Sequence, residues 1–163
     1  MALPKVIKQY NIFFQDGGWA GVCSEVELPD FMLKLDKFRG GGMIGAVAIN
    51  MGVEQPEVGF TMDEQAGELI GKWGVSGTMG RFAAAMSDDS TVIPYEIRFT
   101  GTIHQMNLGN IVPGEKSPMK GKVVCDQITV TQGGTELIYI DMIKGICRAG
   151  GKDLYAKLSS AIQ

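Results

Sequence analysis

An antiparallel β-sandwich or barrel, with one flanking α-helix, a long hairpin loop and a short C-terminal helix, is the mainly β fold class that this sequence predicts. Three observations predict it. Between residues 92 and 104 the apolar Ile93, Tyr95, Ile97, Phe99 and Ile103 alternate with the polar Glu96, Arg98, Thr100, Thr102 and His104. That is the period of a strand with one face on a core and the other in water. Successive apolar runs are separated by short turn signals such as Asp16-Gly17-Gly18 and Gly133-Gly134, so chain neighbours pair as antiparallel hairpins. The chain also holds 23 glycines in 163 residues, spread without a fixed period. Such spacing suits strand ends, bulges and close backbone contacts, not collagen or a linker.

Taken in order, residues 5–15 alternate, with Val6, Tyr10, Ile12 and Phe14 on one face. The Asp16-Gly17 turn leads into a second strand, about Trp19 to Leu28, that ends at Pro29, since proline cannot donate to a ladder. Phe31, Leu33 and Leu35 then alternate with Met32, Lys34 and Asp36, as in a half-buried strand. Met43, Val47, Ile49 and Met51 do the same beyond three consecutive glycines. Together these runs predict a long hairpin with an extended loop at 36–46. Its Gly40-Gly41-Gly42 tip sets no φ angle, which predicts a loop that is flexible alone and is ordered by a neighbouring subunit.

Val58, Phe60 and Met62 form a further short strand. Asp63 reads as an N-cap for a helix over 64–73 whose stripe is Ala66, Leu69, Ile70 and Trp73, closed by Gly74. Residues 80–86 read as a strand, Asp88-Asp89-Ser90 as a turn, and 110–118 as a loop rich in Pro, Gly and Asn. Strands from about Met119 to Gln132 and from Thr135 to Asp141 flank Gly133-Gly134, and Asp153 is placed to cap a terminal helix carrying Leu154, Tyr155, Leu158 and Ile162.

The bulk figures bound the function. A chain of this length is expected to form one domain, 1–163, with a real core. Apolar residues at 45% and charged ones at 20% exclude a disordered chain. No h-region follows Met1, and no apolar run approaches the roughly 20 residues that span a bilayer, so a cytoplasmic protein without a membrane anchor is expected. The net charge of −3, from 18 acidic and 15 basic side chains that are well mixed, argues against tight nucleic-acid binding. Cys23, Cys125 and Cys147 are widely spaced and read as small buried hydrophobes, not a disulfide or zinc framework.

Catalytic constellations are missing from the sequence. The single histidine, His104, sits among threonines on a polar strand face; there is no GxSxG elbow and no phosphate-binding GxxxxGK[ST] loop. The glycine triplet leads into a strand, so no helix N-terminus follows it to hold a phosphate. Asp88-Asp89 and Asp63-Glu64 read as a turn and a helix start. No catalytic residue, cofactor or metal ligand is expected. What remains is assembly, because a long hairpin and open strand edges are a liability in a monomer.

The run Leu28-Pro29, Lys34, Phe38-Arg39-Gly40-Gly41-Gly42-Met43 and Met51-Gly52 resembles the major tail tube proteins of contractile-tailed bacteriophages and the related tubes of R-type bacteriocins. Asn11-Ile12-Phe13 with Asp16-Gly17-Gly18-Trp19-Ala20-Gly21, and Tyr139-Ile140-Asp141, Gly145, Arg148, Gly150-Gly151 and Asp153-Leu154, extend the resemblance over nearly the whole chain. Ile44-Gly45-Ala46 departs from it, where the family has an acidic residue and a proline. The resemblance implies hexameric rings that share one β-barrel around a lumen and stack into the inner tube of a contractile tail. It also implies a sheath, a tape-measure protein, baseplate and tail-terminator partners, and DNA only in transit. The protein is then a virion component assembled in the host cytoplasm. Asp36, Lys37, Phe38, Arg39, Gly40, Gly41, Gly42 and Met43 become the inter-ring contact. Glu96, Arg98, Thr100, Thr102 and His104, nearly balanced in charge, become a candidate lumen face. The alternative from another class is a soluble β-barrel that binds a small apolar ligand, and an enzyme with an unrecognised site is a third reading.

Overall fold

The computed structural model describes residues 3–15 and 17–163. Asp16 of the predicted first turn lies outside them, as do Met1 and Ala2. In chain order the elements are β1 (Val6–Phe14), β2 (Gly17–Gly18), β3 (Cys23–Glu27), β4 (Leu33–Phe38), β5 (Val47–Val53), β6 (Glu57–Met62) and α1 (Gly67–Ile70). There follow β7 (Thr78–Ser87), β8 (Val92–Asn107), β9 (Met119–Gln132), β10 (Thr135–Asp141), β11 (Ile146–Ala149), β12 (Lys152–Asp153) and α2 (Ala156–Ala161). The architecture is mainly β, and every strand pairing among the described residues is antiparallel, as expected from the hairpin punctuation.

One sheet runs β12-β11-β10-β9-β8-β7-β1-β2, and β9 also pairs with β6, which pairs with β3. The first half of β9 holds β6 and the second half holds β10 on the same edge, while β8 follows β9 throughout. The two long strands therefore belong to both layers and bend between them. The bend falls where the β8–β9 register slips, between Thr100 and Gly101. A Cβ on Gly101 would run into the Val124 carbonyl, so the strands close up only because the residue there has no side chain.

The bend folds the sheet over a single core that includes Ile12, Phe14, Val58, Phe60, Met62, Phe82, Ile97, Phe99, Ile103, Val123, Ile128 and Ile140. Phe14 of β1 meets Phe60 of β6 edge-on at 5.3 Å, although three strands separate them in the sheet. The rings of Phe99 and Phe60 lie over Gly80 and Gly121, their cross-strand partners. At these two positions the glycine makes room for an aromatic ring, while many of the others take positive φ. Each buried aliphatic or aromatic side chain contributes about 1.5–3 kcal/mol before ordering costs. At the opposite end, Gly133 and Gly134 both take positive φ (60 and 83), the geometry of a two-residue hairpin turn between β9 and β10.

Several expectations need correction. The helix predicted over 64–73 is one turn, α1, capped by Ala66; Asp63 lies in a bend and makes no cap. Only Ala66 and Leu69 of its stripe are buried, too little apolar area to hold a longer helix, and Trp73 stays outside with its Nε1–H donating to the His104 carbonyl at 3.2 Å. The strand predicted from Trp19 to Leu28 breaks at a turn, because the Val22 and Cys23 amides donate back to the Trp19 carbonyl, and Leu28 is exposed. At the C-terminus β12 precedes the helix, and Asp153 accepts from the Tyr155 amide at 3.0 Å without capping α2, whose cap is Tyr155.

Candidate functional site

The predicted hairpin exists, and it stands apart from the body. Among the described residues, β4 and β5 pair with each other and with no other strand. Every residue of β4 is exposed, so the half-burial expected from the alternation does not occur within one chain. β4 runs further than expected, taking in Asp36, Lys37 and Phe38, whereas β5 begins only at Val47 and leaves Met43 in the turn, so the loop proper is 39–46. Across the ribbon Phe38 faces Val47 and Asp36 faces Ile49, which puts three large apolar side chains on one exposed face. A two-stranded ribbon of this kind is marginal in water by itself. The Glu54 amide donating to the Met32 carbonyl (2.9 Å) continues the ribbon, and its root is tied to the body by the Tyr155 hydroxyl donating to Asn50 (3.1 Å) and by Val53, which packs on the core.

The tip is better formed than three glycines suggested. The Met43 amide donates to the Gly40 carbonyl at 3.3 Å, closing a four-residue turn, and Gly42 at φ +83 supplies the conformation that the turn requires. The Gly40 amide in turn points at the Met43 sulfur, 3.0 Å away. Gly41 meets nothing, and Ile44 is fully exposed. The eight residues from Asp36 to Met43 are therefore brought together on one projection.

The candidate lumen residues are brought together only in part. Glu96, Arg98 and Thr100 share the outward face of the layer containing β1, β7, β8 and β9. Glu96 and Thr100 are half-buried among neighbours on that face, not beneath a helix. Beyond the bend, Thr102 lies on the other layer, and His104 is the extra residue where the register slips again between Ile103 and Gln105. His104 Nε2 stands 3.7 Å from Glu57 Oε1.

Sequence reasoning missed what surrounds Glu96 and Arg98. The pairing register puts Phe13, Arg81, Arg98, Thr129, Tyr139, Arg148 and Asp153 on one line across the sheet. The adjacent line carries Glu96, Thr131 and Glu136. Arg81 lies over the Phe13 ring at 4.4 Å and Arg148 over the Tyr139 ring at 4.5 Å. Arg81 Nη1 is 3.8 Å from Glu96 Oε2, Arg98 Nε donates to Glu96 Oε1, and Arg148 Nη2 is 3.3 Å from Glu136 Oε1. Outward positions in β7 are disguised by the run Ala83-Ala84-Ala85, and cross-strand neighbours have no linear signature.

Other features offer no chemistry. Cys125 and Cys147 are buried and Cys23 is half-buried; burial pushes the Cys125 thiol up to about 12 and the other two upward as well. Thiols so shifted stay protonated and unreactive near neutrality. Among the described residues no three His, Cys, Asp or Glu side chains are grouped to hold a metal ion. An apolar groove of about 430 Å³ lies between α2 and the sheet, lined by Val53, Ile140, Cys147, Tyr155, Leu158 and Ile162. It is on the outside of the molecule; the interior between the layers is filled with core side chains, which disfavours a ligand-holding barrel.

A folded body bearing a self-paired arm, held only at its root and with an exposed apolar face, has the build of a structural subunit and not of an enzyme pocket. The family model described as phage tail tube protein FII matches residues 4–162, and the chain belongs to that family. It is 30% identical over 161 residues to the tail tube protein of Escherichia phage P2, with 94% of each chain covered. It is 25% identical over 159 residues to the major tail tube protein of Serratia phage KSP20, covering 95% of this chain and 93% of the relative. Among solved structures, a chain of the PVC sheath–tube complex of an extracellular contractile injection system in its extended state superposes with a TM-score of 0.58 at 9% identity, covering 78% of this chain and 91% of that one. A chain of the anti-feeding prophage baseplate gives 0.57 at 12%, covering 83% and 99%. These two likenesses concern the fold. Family membership makes the protein a structural component of the inner tube of a phage tail.

Proposed function

We propose that the whole chain, 1–163, acts as one domain, that six copies close into a ring around a lumen, and that rings stack head to tail through the β4–β5 arm. The observation that carries this reading is the arm itself, which pairs with no strand of its own body among the described residues while Phe38, Val47 and Ile49 face outward. A second copy supplies the missing cover, and a head-to-tail contact that does not close on itself yields a filament by symmetry. In the contact, Asp36, Lys37 and Arg39 pair by charge, Phe38 and Met43 are buried, and Gly40, Gly41 and Gly42 allow close backbone approach. The face carrying Glu96, Arg98 and Thr100, continued by Thr102 and His104, lines the lumen. Its charges are already partnered and its hydroxyls are neutral, so they release no counterions from phosphates, which suits a channel for DNA in transit.

Such a tube performs no catalysis; its work is to be a rigid conduit. Sheath, baseplate, tape-measure and tail-terminator proteins are the partners this role calls for, with assembly in the host cytoplasm and residence in the virion tail. Negative-stain microscopy of the purified protein over a range of concentrations tests the reading. Rings or tubes are expected, and uniform monomers at the highest concentration would refute it.

A further inference from the structure

We propose that Arg81, Arg98 and Arg148 form a latent phosphate-binding row that Glu96 and Glu136 hold silent, so that a nucleic-acid backbone passes over this sheet face without attaching. The use of such a device rests on the lumen reading; the masking belongs to the single chain and is tested separately.

Three guanidinium groups lie on one cross-strand line. With strands about 4.8 Å apart, Arg81 and Arg98 are immediate neighbours and Arg148 stands about 14 Å further on. Phe13 and Tyr139 lie beneath the two outer guanidiniums and hold them flat against the sheet. A planar fork of donors presented this way is the group best suited to phosphate oxygens. Yet each fork already faces a carboxylate, although Arg148 Nε itself has no hydrogen-bond partner among the described residues. Glu96 serves two arginines, one with each carboxylate oxygen, and Glu136 serves the third. Asp153 follows Arg148 on the line, so three cations face three anions.

These pairs are too exposed to matter much for stability: the side chains of Arg81, Arg98 and Arg148 are 39%, 69% and 41% accessible. Their consequence is for the field of the face. Polyanion binding grows with the number of cations free to displace counterions, and here that number is near zero. Removing both glutamate charges leaves the row with a surplus of two positive charges in each subunit, repeated around every ring.

The test is binding of a fluorescent DNA duplex of about 20 base pairs, read by anisotropy at about 50 mM and about 200 mM salt. The wild-type protein is compared with the Glu96→Gln, Glu136→Gln double variant, which keeps side-chain shape. The wild type is expected not to bind measurably. The double variant should bind at least about tenfold tighter, with a log–log salt slope of about −2 to −3, since each phosphate contact adds about 0.9. Adding Arg98→Gln should cancel most of the gain. A double variant that folds like the wild type and gains nothing overturns the proposal, as does wild-type protein that binds equally well. Should the double variant misfold, the two single variants carry the same test with smaller gains. The comparison is made on dissociated protein, so that neither outcome depends on where the face lies in a tube, which the labelling experiment in the Discussion reads independently.

Discussion

At the scale of single residues, the most consequential position is Gly101. Its lack of a side chain lets β8 and β9 approach at the bend, with the Val124 carbonyl occupying the space of a Cβ. Backbone cannot step aside as a side chain can, so Gly101→Ala is expected to destabilise the fold by about 3 kcal/mol, measured by chemical denaturation. Gly101 is not among the glycines of positive φ, so the cost comes from the collision with the Val124 carbonyl and not from backbone strain. An unchanged denaturation midpoint would show that the bend does not depend on this close approach. Residue-level legibility was uneven. Ile97, Phe99 and Ile103 were readable as core because period two is printed in the sequence. The Arg81–Glu96–Arg98 cluster was not, because it joins strands whose register is set only on folding.

At the scale of elements, β9, β10 and the turn between them match the sequence reading, since long alternating runs around two glycines leave one register open. The helix over 64–73 failed because helix length is decided by what the stripe packs on: beyond Leu69 little of it is covered, and α1 stops after one turn. The arm was legible as a hairpin, but its alternation implied a burial that one chain does not provide. Deleting 38–43 is expected to abolish stacking while leaving the circular dichroism spectrum of the β body intact, because β4 and β5 contribute to no other strand. Loss of the β signal as well would mean that the arm is needed to fold, not to assemble.

At the scale of the whole molecule, the fold leaves the apolar face of its arm exposed and its charged face internally balanced. If the face of β8 lines a lumen, a cysteine placed at Thr100 should react with a small maleimide in assembled tubes but not with one attached to a polymer too wide for the bore. In dissociated protein both reagents should react. The native thiols give little background, with Cys125 and Cys147 buried and Cys23 half-buried. Equal labelling of intact tubes by the wide reagent would place this face outside and refute the lumen assignment, leaving the masked arginine row to stand or fall on DNA binding.

The amino-acid sequence alone determined the class of fold, the strands that alternate cleanly, the hairpin with its glycine tip, and the family resemblance, since all of these are written in local periodicity and short motifs. Tertiary structure decided the bend at Gly101, the brevity of α1, the independence of the arm and the line of arginines. Each of these depends on which residues stand opposite one another across strands, and that is settled by packing distant parts of the chain over a common core.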